Sequence, residues 1–134
     1  MVSKGTQRKG DVAVTRAIAS FTEVGWDVAL PVSESARYDL IIDTGLELKR
    51  VQVKFTSTVE VDLRRIHSNS KGYAIKKYKS KDFDWLYVLK ENGDEFLIRE
   101  DLGGRSTIRP QPKHRLNEEG AAERSATRLE PEGT

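Results

Sequence analysis

Asp39, Gln52 and Lys54 bring a carboxylate, an amide and an ammonium into one short stretch, SARYDLIIDTGLELKRVQVKFTST, residues 35–58. Gln52 and Lys54 stand two apart, so on a strand they share one face. Asp39 leads the apolar run LIID, and Thr44-Gly45 separates that run from the next. If the two runs are neighbouring strands with coincident faces, the three groups meet within a few ångströms. Oxygen ligands of this kind suit Mg²⁺, which keeps several waters and takes one or two carboxylates plus substrate phosphate oxygens. A lysine beside them can orient or deprotonate a water, or stabilise the charge that grows on a phosphate. That is equipment for hydrolysing a phosphodiester. A second reading stays open: a solvated strand face routinely carries Arg, Gln and Lys, and an Asp commonly ends a loop. Spacing alone does not separate the two.

The elements that must position these groups are legible from periodicity. In DVAVTRAIASFTEVG, Val14, Ile18, Phe21 and Gly25 fall at helical spacing, with Asp11 as the expected N-cap and Gly25 as the stop. WDVALP reads as a short strand ended by Pro31, SESAR as a loop and YDLIID as a second strand. LELKRVQVKFTS is a third, with Val51, Val53 and Phe55 on one face and Arg50, Gln52 and Lys54 on the other. The turn at Thr44-Gly45 makes the second and third strands antiparallel neighbours. TVEVDLRRI is expected to extend the sheet, and DFDWLYVLKENGDEFLIRE to form a hairpin from Trp85–Leu89 to Glu95–Arg99.

Length and charge bound the rest. A chain of 134 residues fits one domain with a single core. With no cysteine, and His67 and His114 as its only histidines, it has no thiolate or histidine-rich metal site, so a metal would take oxygen ligands. No apolar run suits a membrane span or a signal peptide, which reads as cytoplasmic, in a nucleoid or mobile-element setting. Residues 1–9 are expected to be a flexible basic arm, 10–112 the domain and 113–134 a disordered acidic tail. From Asn117 onward five Glu stand against two Arg, so a net charge of +2 leaves about +5 on the body. Residues 64–81 hold seven Lys or Arg and no acid, interleaved with tyrosines. Such a segment suits a phosphate backbone. Arg64, Arg65, Lys71, Lys76, Lys77 and Lys79 are its phosphate-contact candidates, with Tyr73 and Tyr78 able to pack on sugar or base; Lys9 and Arg37 join them. His67 is read as a surface histidine.

The order KGD before a helix, GW-V--P, RYDLIID and RVQVK, from Lys9 to Lys54, resembles the PD-(D/E)XK nuclease superfamily. More narrowly it is similar to the group I intron-associated homing endonucleases, in which glutamine replaces the usual acid, as in Gln52-Val53-Lys54. Archaeal Holliday junction resolvases are more distantly similar, with Glu where this chain has Gln52. A looser similarity runs on to about Arg99. The resemblance implies an α/β restriction-endonuclease-like core with a mixed central sheet flanked by helices. It implies a DNA endonuclease dependent on Mg²⁺ or Mn²⁺ that acts on double-stranded DNA as a dimer or tetramer. Trp85, Tyr87, Phe96 and Ile98 are candidates for the contact between copies, with core packing as their other use.

Residue by residue, the resemblance implies Asp39 as the principal metal-binding carboxylate and Gln52 as an amide ligand or water-orienting group. Val53 would lend its carbonyl and Lys54 would be the catalytic lysine. One position departs: the family's first helix supplies a glutamate four residues after its glycine, and counted from Gly10 that position is Val14. Three readings follow. The chain is inactivated, Asp11 or Glu34 substitutes, or one carboxylate suffices. The alternatives to a homing-type nuclease are a junction resolvase and a DNA-binding module that kept the fold without the chemistry.

Overall fold

Ala13, Ala17, Phe21 and Val24 recur along one side of a helix, α1 (Thr6–Val24), and all four are buried. The helix stops at Gly25, whose φ of 100° lies where a side chain would be strained. There the Gly25 N–H donates to the Thr22 carbonyl (3.0 Å) and the Trp26 N–H to that of Phe21 (3.1 Å), while the Trp26 and Phe21 rings pack 5.6 Å apart. The start differs from the sequence expectation. Helix α1 begins at Thr6 with Gly5 as its N-cap, so Asp11 is an exposed residue inside the helix and not its cap. Lys9 belongs to the helix rather than to a flexible arm, with Nζ 5.5 Å from the Phe55 ring. Gly10 costs a helix interior only about 1 kcal/mol, too little to delay its start. The structure is a computed structural model, and it describes residues 5–69, 72–77 and 82–116.

The strands among the described residues are β1 (Asp27–Ala29), β2 (Leu40–Asp43), β3 (Leu48–Thr56), β4 (Val61–Asp62), β5 (Arg64–Asn69), β6 (Gly72–Lys77), β7 (Trp85–Lys90), β8 (Glu95–Ile98) and β9 (Thr107–Ile108). The central sheet has the order β1-β2-β3-β7-β8, parallel between β3 and β7 and antiparallel elsewhere. This is the expected mixed sheet. The β2–β3 turn is as expected too, with Gly45 at φ 94° and its N–H donating to the Asp43 carboxylate at 2.8 Å. β7 runs WLYVL without a polar interruption because both its faces are covered. Tyr87 and Leu89 pack with Val51, Val53 and the helix on one side; Leu86 and Val88 pack with Phe96, Ile98, Val61, Leu63 and Phe83 on the other.

Three further expectations are corrected. TVEVDLRRI does not extend the sheet: Val61–Asp62 pairs with Thr107–Ile108 in a separate two-stranded sheet, and Arg64–Asn69 pairs with Gly72–Lys77. The chain is turned off the sheet at Thr56 and Thr58, whose hydroxyls both donate to the Glu60 carbonyl (3.1 and 2.8 Å). Trp85, Tyr87, Phe96 and Ile98 are all buried in the two cores, so they present no surface to a second copy. The fold also runs past residue 112. A 3-10 helix at Pro112–His114 leads to Leu116, which is buried and donates its N–H to the Glu95 carbonyl at 2.8 Å. Among the described residues no helix is long and apolar enough to cross a membrane.

One polar knot ties the helix to the sheet. The buried Glu95 carboxyl accepts from Ser20 Oγ (2.5 Å) on α1 and from Tyr87 Oη (2.7 Å) on β7. Burial and the neighbouring Glu95 hold the Tyr87 hydroxyl proton far above its ordinary range. Removing one donor leaves a buried acceptor less satisfied. Tyr87→Phe is therefore expected to cost about 1–3 kcal/mol of unfolding free energy, measured by urea denaturation followed by far-UV circular dichroism.

Candidate functional site

β2 stops pairing with β3 at Leu40 opposite Val51, while β3 continues beside β7 to Thr56 opposite Lys90. From Gln52 onward one edge of β3 therefore lacks a strand partner from β2. Asp39 takes up that edge. Its N–H donates to the Val51 carbonyl (2.8 Å) and its Oδ2 accepts the Val53 N–H (2.9 Å), so a side chain stands in for the missing strand. A strand residue's N–H and C=O lie on the same side, which puts the Val53 carbonyl on this edge as well. Gln52 completes the group: Nε2 donates to Asp39 Oδ2 at 3.0 Å and reaches the Val53 oxygen at 3.4 Å. Both partners are acceptors, so the NH₂ end of the amide must face them.

Gln52 and Val53 are buried and Asp39 is half-buried. Burial pushes the Asp39 carboxyl above its ordinary value, opposed by the Val53 N–H and by the charge of Lys54. Lys54 lies on the Gln52 face of β3, partly buried. Its charge also helps hold Asp62 below the usual carboxylate range, after the larger effect of Arg64. The structure thus brings together Asp39, Gln52, Val53 and Lys54, the four residues picked out by spacing and resemblance.

Val14 has no carboxylate to offer this edge. Val14 is partly buried with Ile18 and Phe55 against the helix-side core. Asp11 and Glu34 are exposed, the first on α1 and the second in the loop before Asp39. Among the described residues no three His, Cys, Asp or Glu gather to hold a metal. The donor set nonetheless fits a hard divalent cation, since it offers one carboxylate, one backbone carbonyl and one amide whose oxygen comes inward on a half-turn of the side chain. His114 is elsewhere, accepting the Gln111 N–H at Nδ1 (3.0 Å) with Nε2 beside Glu100 (3.3 Å).

The cationic candidates divide. Arg37 is committed to the buried Asp82 carboxylate (3.3 Å), and Arg64 makes a fork onto Asp62 with two contacts of 3.1 Å. The side chains of Arg65, His67, Tyr73, Lys76 and Lys77 lie outside the described set, as do Lys71, Tyr78 and Lys79 entirely. Sequence reasoning missed Arg50 and Asp84. The Asp84 carboxylate accepts the Arg50 N–H (2.8 Å), Nε (3.1 Å) and Nη2 (3.1 Å), and the Asp84 N–H returns to the Arg50 carbonyl (2.8 Å). Arg50 holds the Asp84 carboxyl below its usual range, and the pair locks β3 against β7 two residues before Gln52. The only hint in the sequence was an aspartate directly before the WLYVL strand.

The model of the PD-(D/E)XK endonuclease family matches residues 4–126. Among solved structures, the bacterial homing endonuclease I-Ssp6803I is similar in fold, with a TM-score of 0.71 and 26% identity over 95% of this chain and 99% of that one. The restriction-endonuclease-like core expected from the resemblance is the fold found. No curated protein sequence matches.

The raised Asp39 carboxyl sets a sign for stability. Between its ordinary and its folded value the folded chain holds a proton that the unfolded chain has lost, so this group's contribution to stability falls as pH rises through that window. Asp39→Asn removes the fall. In the presence of a chelator, the variant is expected to match the parent at low pH and to gain on it as pH rises past the Asp39 window, checked by urea denaturation across a pH series.

Proposed function

Because the chain belongs to the PD-(D/E)XK endonuclease family, we propose that it is a double-stranded DNA endonuclease of the homing type, dependent on Mg²⁺ or Mn²⁺, with chemistry weakened by Val14. The observation that carries this reading is the convergence of Asp39, Gln52 and the Val53 carbonyl on the open edge of β3, with Lys54 beside them. A divalent cation in that donor set would supply electrostatic stabilisation of the scissile phosphate and a more acidic water. Asp39, the Val53 carbonyl and the Gln52 oxygen are the groups that would hold it.

The chain's own residues divide the remaining work. Hydrolysis forms a bond from a water oxygen to phosphorus and breaks the bond to the 3′ oxygen; the attacking water gives up a proton to solvent, and the 3′ oxygen takes one from a solvent water. Lys54 places positive charge where the phosphate gains negative charge, and its ammonium can hold the attacking water in line. The rigid strand beneath it matters because misplacement by an ångström costs about 10²-fold in rate. Arg50 and Asp84 fix that strand's register. Asp39 keeps its carboxylate aimed at the site through the Val53 N–H.

Val14 favours a second reading, a DNA-binding module that kept the nuclease fold and lost its chemistry. A valine coordinates nothing, and among the described residues no group of three His, Cys, Asp or Glu forms. Nicking of supercoiled and genomic DNA in Mg²⁺ or Mn²⁺ separates the two. Asp39→Ala and Lys54→Ala are each expected to lower cleavage by about 10²-fold or more while DNA binding persists. Activity surviving both changes removes the site assignment. Val14→Glu is expected to raise nicking. Cutting by that variant alone makes the parent chain a silenced nuclease, and equal cutting by both shows that one carboxylate suffices.

A further inference from the structure

We infer that the polar pocket at the carboxyl ends of β3 and β7 holds a second backbone phosphate of bound DNA, beyond the one placed at Lys54; this rests on the chain acting on DNA and extends it to how the strand is gripped. The pocket encloses about 390 Å³ and is lined by residues 56–59 at one strand end and 90–92 at the other. That volume takes a phosphate with part of its sugar, since ligand pockets run from roughly 300 to 1,000 Å³. β3 and β7 are parallel, and in open α/β sheets ligands bind outside the carboxyl ends of such strands.

Both walls are held by hydrogen bonds. On the β3 side the Thr56 and Thr58 hydroxyls donate to the Glu60 carbonyl (3.1 and 2.8 Å), and the Glu91 N–H donates to the Thr56 carbonyl (3.0 Å). On the β7 side the Gly93 N–H donates to the Lys90 carbonyl (2.9 Å) and the Asp94 N–H to the Asn92 side-chain oxygen (2.9 Å). These bonds commit Thr56 and Thr58 as donors and Asn92 Oδ1 as an acceptor. Donor chemistry remains for a ligand: the exposed Ser57 hydroxyl, the Lys90 ammonium, and the Asn92 NH₂, whose bond to Asp94 is a long 3.4 Å.

Lys90 gives the pocket its sign. It is partly buried, its ammonium lies 5.9 Å from the Phe96 ring centre, and among the described residues no carboxylate pairs with it. Arg37, Lys49, Arg50, Arg64, Lys113 and Arg115 all have such a partner. A partly buried ammonium without a counter-charge suits an incoming anion, and lysine binds phosphate as a point charge. Glu91 lines the pocket too, but it is exposed, where water and salt screen its charge.

Register joins this pocket to the site. Alternation puts Thr56 on the β3 face of Gln52 and Lys54, and Lys90 stands opposite Thr56 as Val88 stands opposite Lys54. Lys54 and Lys90 are therefore diagonal neighbours on one face, about 8 Å apart between Cα atoms. Each DNA strand carries one phosphate per about 3.4 Å of helix axis, so a strand with one phosphate at Lys54 brings another within reach of Lys90.

The test measures affinity for a mixed-sequence DNA duplex by fluorescence anisotropy across a salt series, with the full chain in a chelator so that no outcome depends on cleavage. Lys90→Gln keeps most of the stem on Phe96 and removes the charge. It should reduce the slope of log affinity against log salt by about one unit, and Lys90→Arg should restore it. Ser57→Ala should weaken binding by about two- to tenfold, and Glu91→Gln should tighten it. Lys113→Ala, beside Glu100 past the far end of β8, should leave the slope as in the parent. The inference is overturned if Lys90→Gln keeps the full slope, if Lys113→Ala lowers it as much, or if the parent binds no DNA. Nicking in Mg²⁺ is measured separately. A parent that cuts while Lys90→Gln keeps the full slope refutes the pocket and leaves the nuclease standing; a Lys90-dependent slope in a chain that cuts nothing upholds the pocket and refutes the nuclease.

Discussion

The site exists because β2 is short. Its ladder ends at Leu40 opposite Val51, and the next backbone N–H of β3 on that edge, that of Val53, would be left without an acceptor if Asp39 did not supply one. An unpaired buried N–H costs about as much as a lost hydrogen bond, so the fold itself requires an acceptor side chain at this place. The same bond that closes the sheet edge aims the Asp39 carboxylate. The same open edge carries the Val53 carbonyl, and the Gln52 amide reaches both it and Asp39.

This arrangement has an electrostatic cost that glutamine moderates. Asp39 is pushed toward its neutral form by burial, and only the Val53 N–H and the Lys54 charge oppose that push. A glutamate at position 52 would set a second carboxylate against the first. Gln52 instead offers its NH₂ end to Asp39 and to the Val53 oxygen, so the group is satisfied within the protein. The amide occupies the position of a positive partner while remaining able to present its oxygen. Two other contacts keep the edge rigid: the Arg50–Asp84 fork beneath the site and the Glu95 knot that ties α1 to the sheet.

Much of this was legible in the sequence. Strand alternation in VQVKF, the Thr44-Gly45 turn and the Glu-Asn-Gly-Asp turn marked two of the sheet's pairings, β2–β3 and β7–β8, and two-residue spacing placed Gln52 and Lys54 on one face. Asp39 was selected by its position before an apolar run together with the family resemblance. The helix start was misread because Gly10-Asp11 imitates a cap, whereas the N-cap, Gly5, has no side chain to signal itself. Val61 and Asp62 were assigned to the central sheet because alternation reveals a strand and not its partner; the Thr56 and Thr58 hydroxyls decide that. The Arg50–Asp84 fork was invisible for a related reason. It joins residues 34 apart in the chain, and only the parallel register of β3 and β7 brings them together.

The measurement that tests the central claim most directly is paramagnetic broadening of backbone amide signals by Mn²⁺ in the ¹⁵N-labelled chain, which needs no knowledge of the DNA target. The account predicts loss of signal centred on Asp39, Gln52, Val53 and Lys54, reversed by excess Mg²⁺ and absent in Asp39→Ala. Broadening centred elsewhere, or unchanged by Asp39→Ala, would contradict a cation site on the open edge of β3.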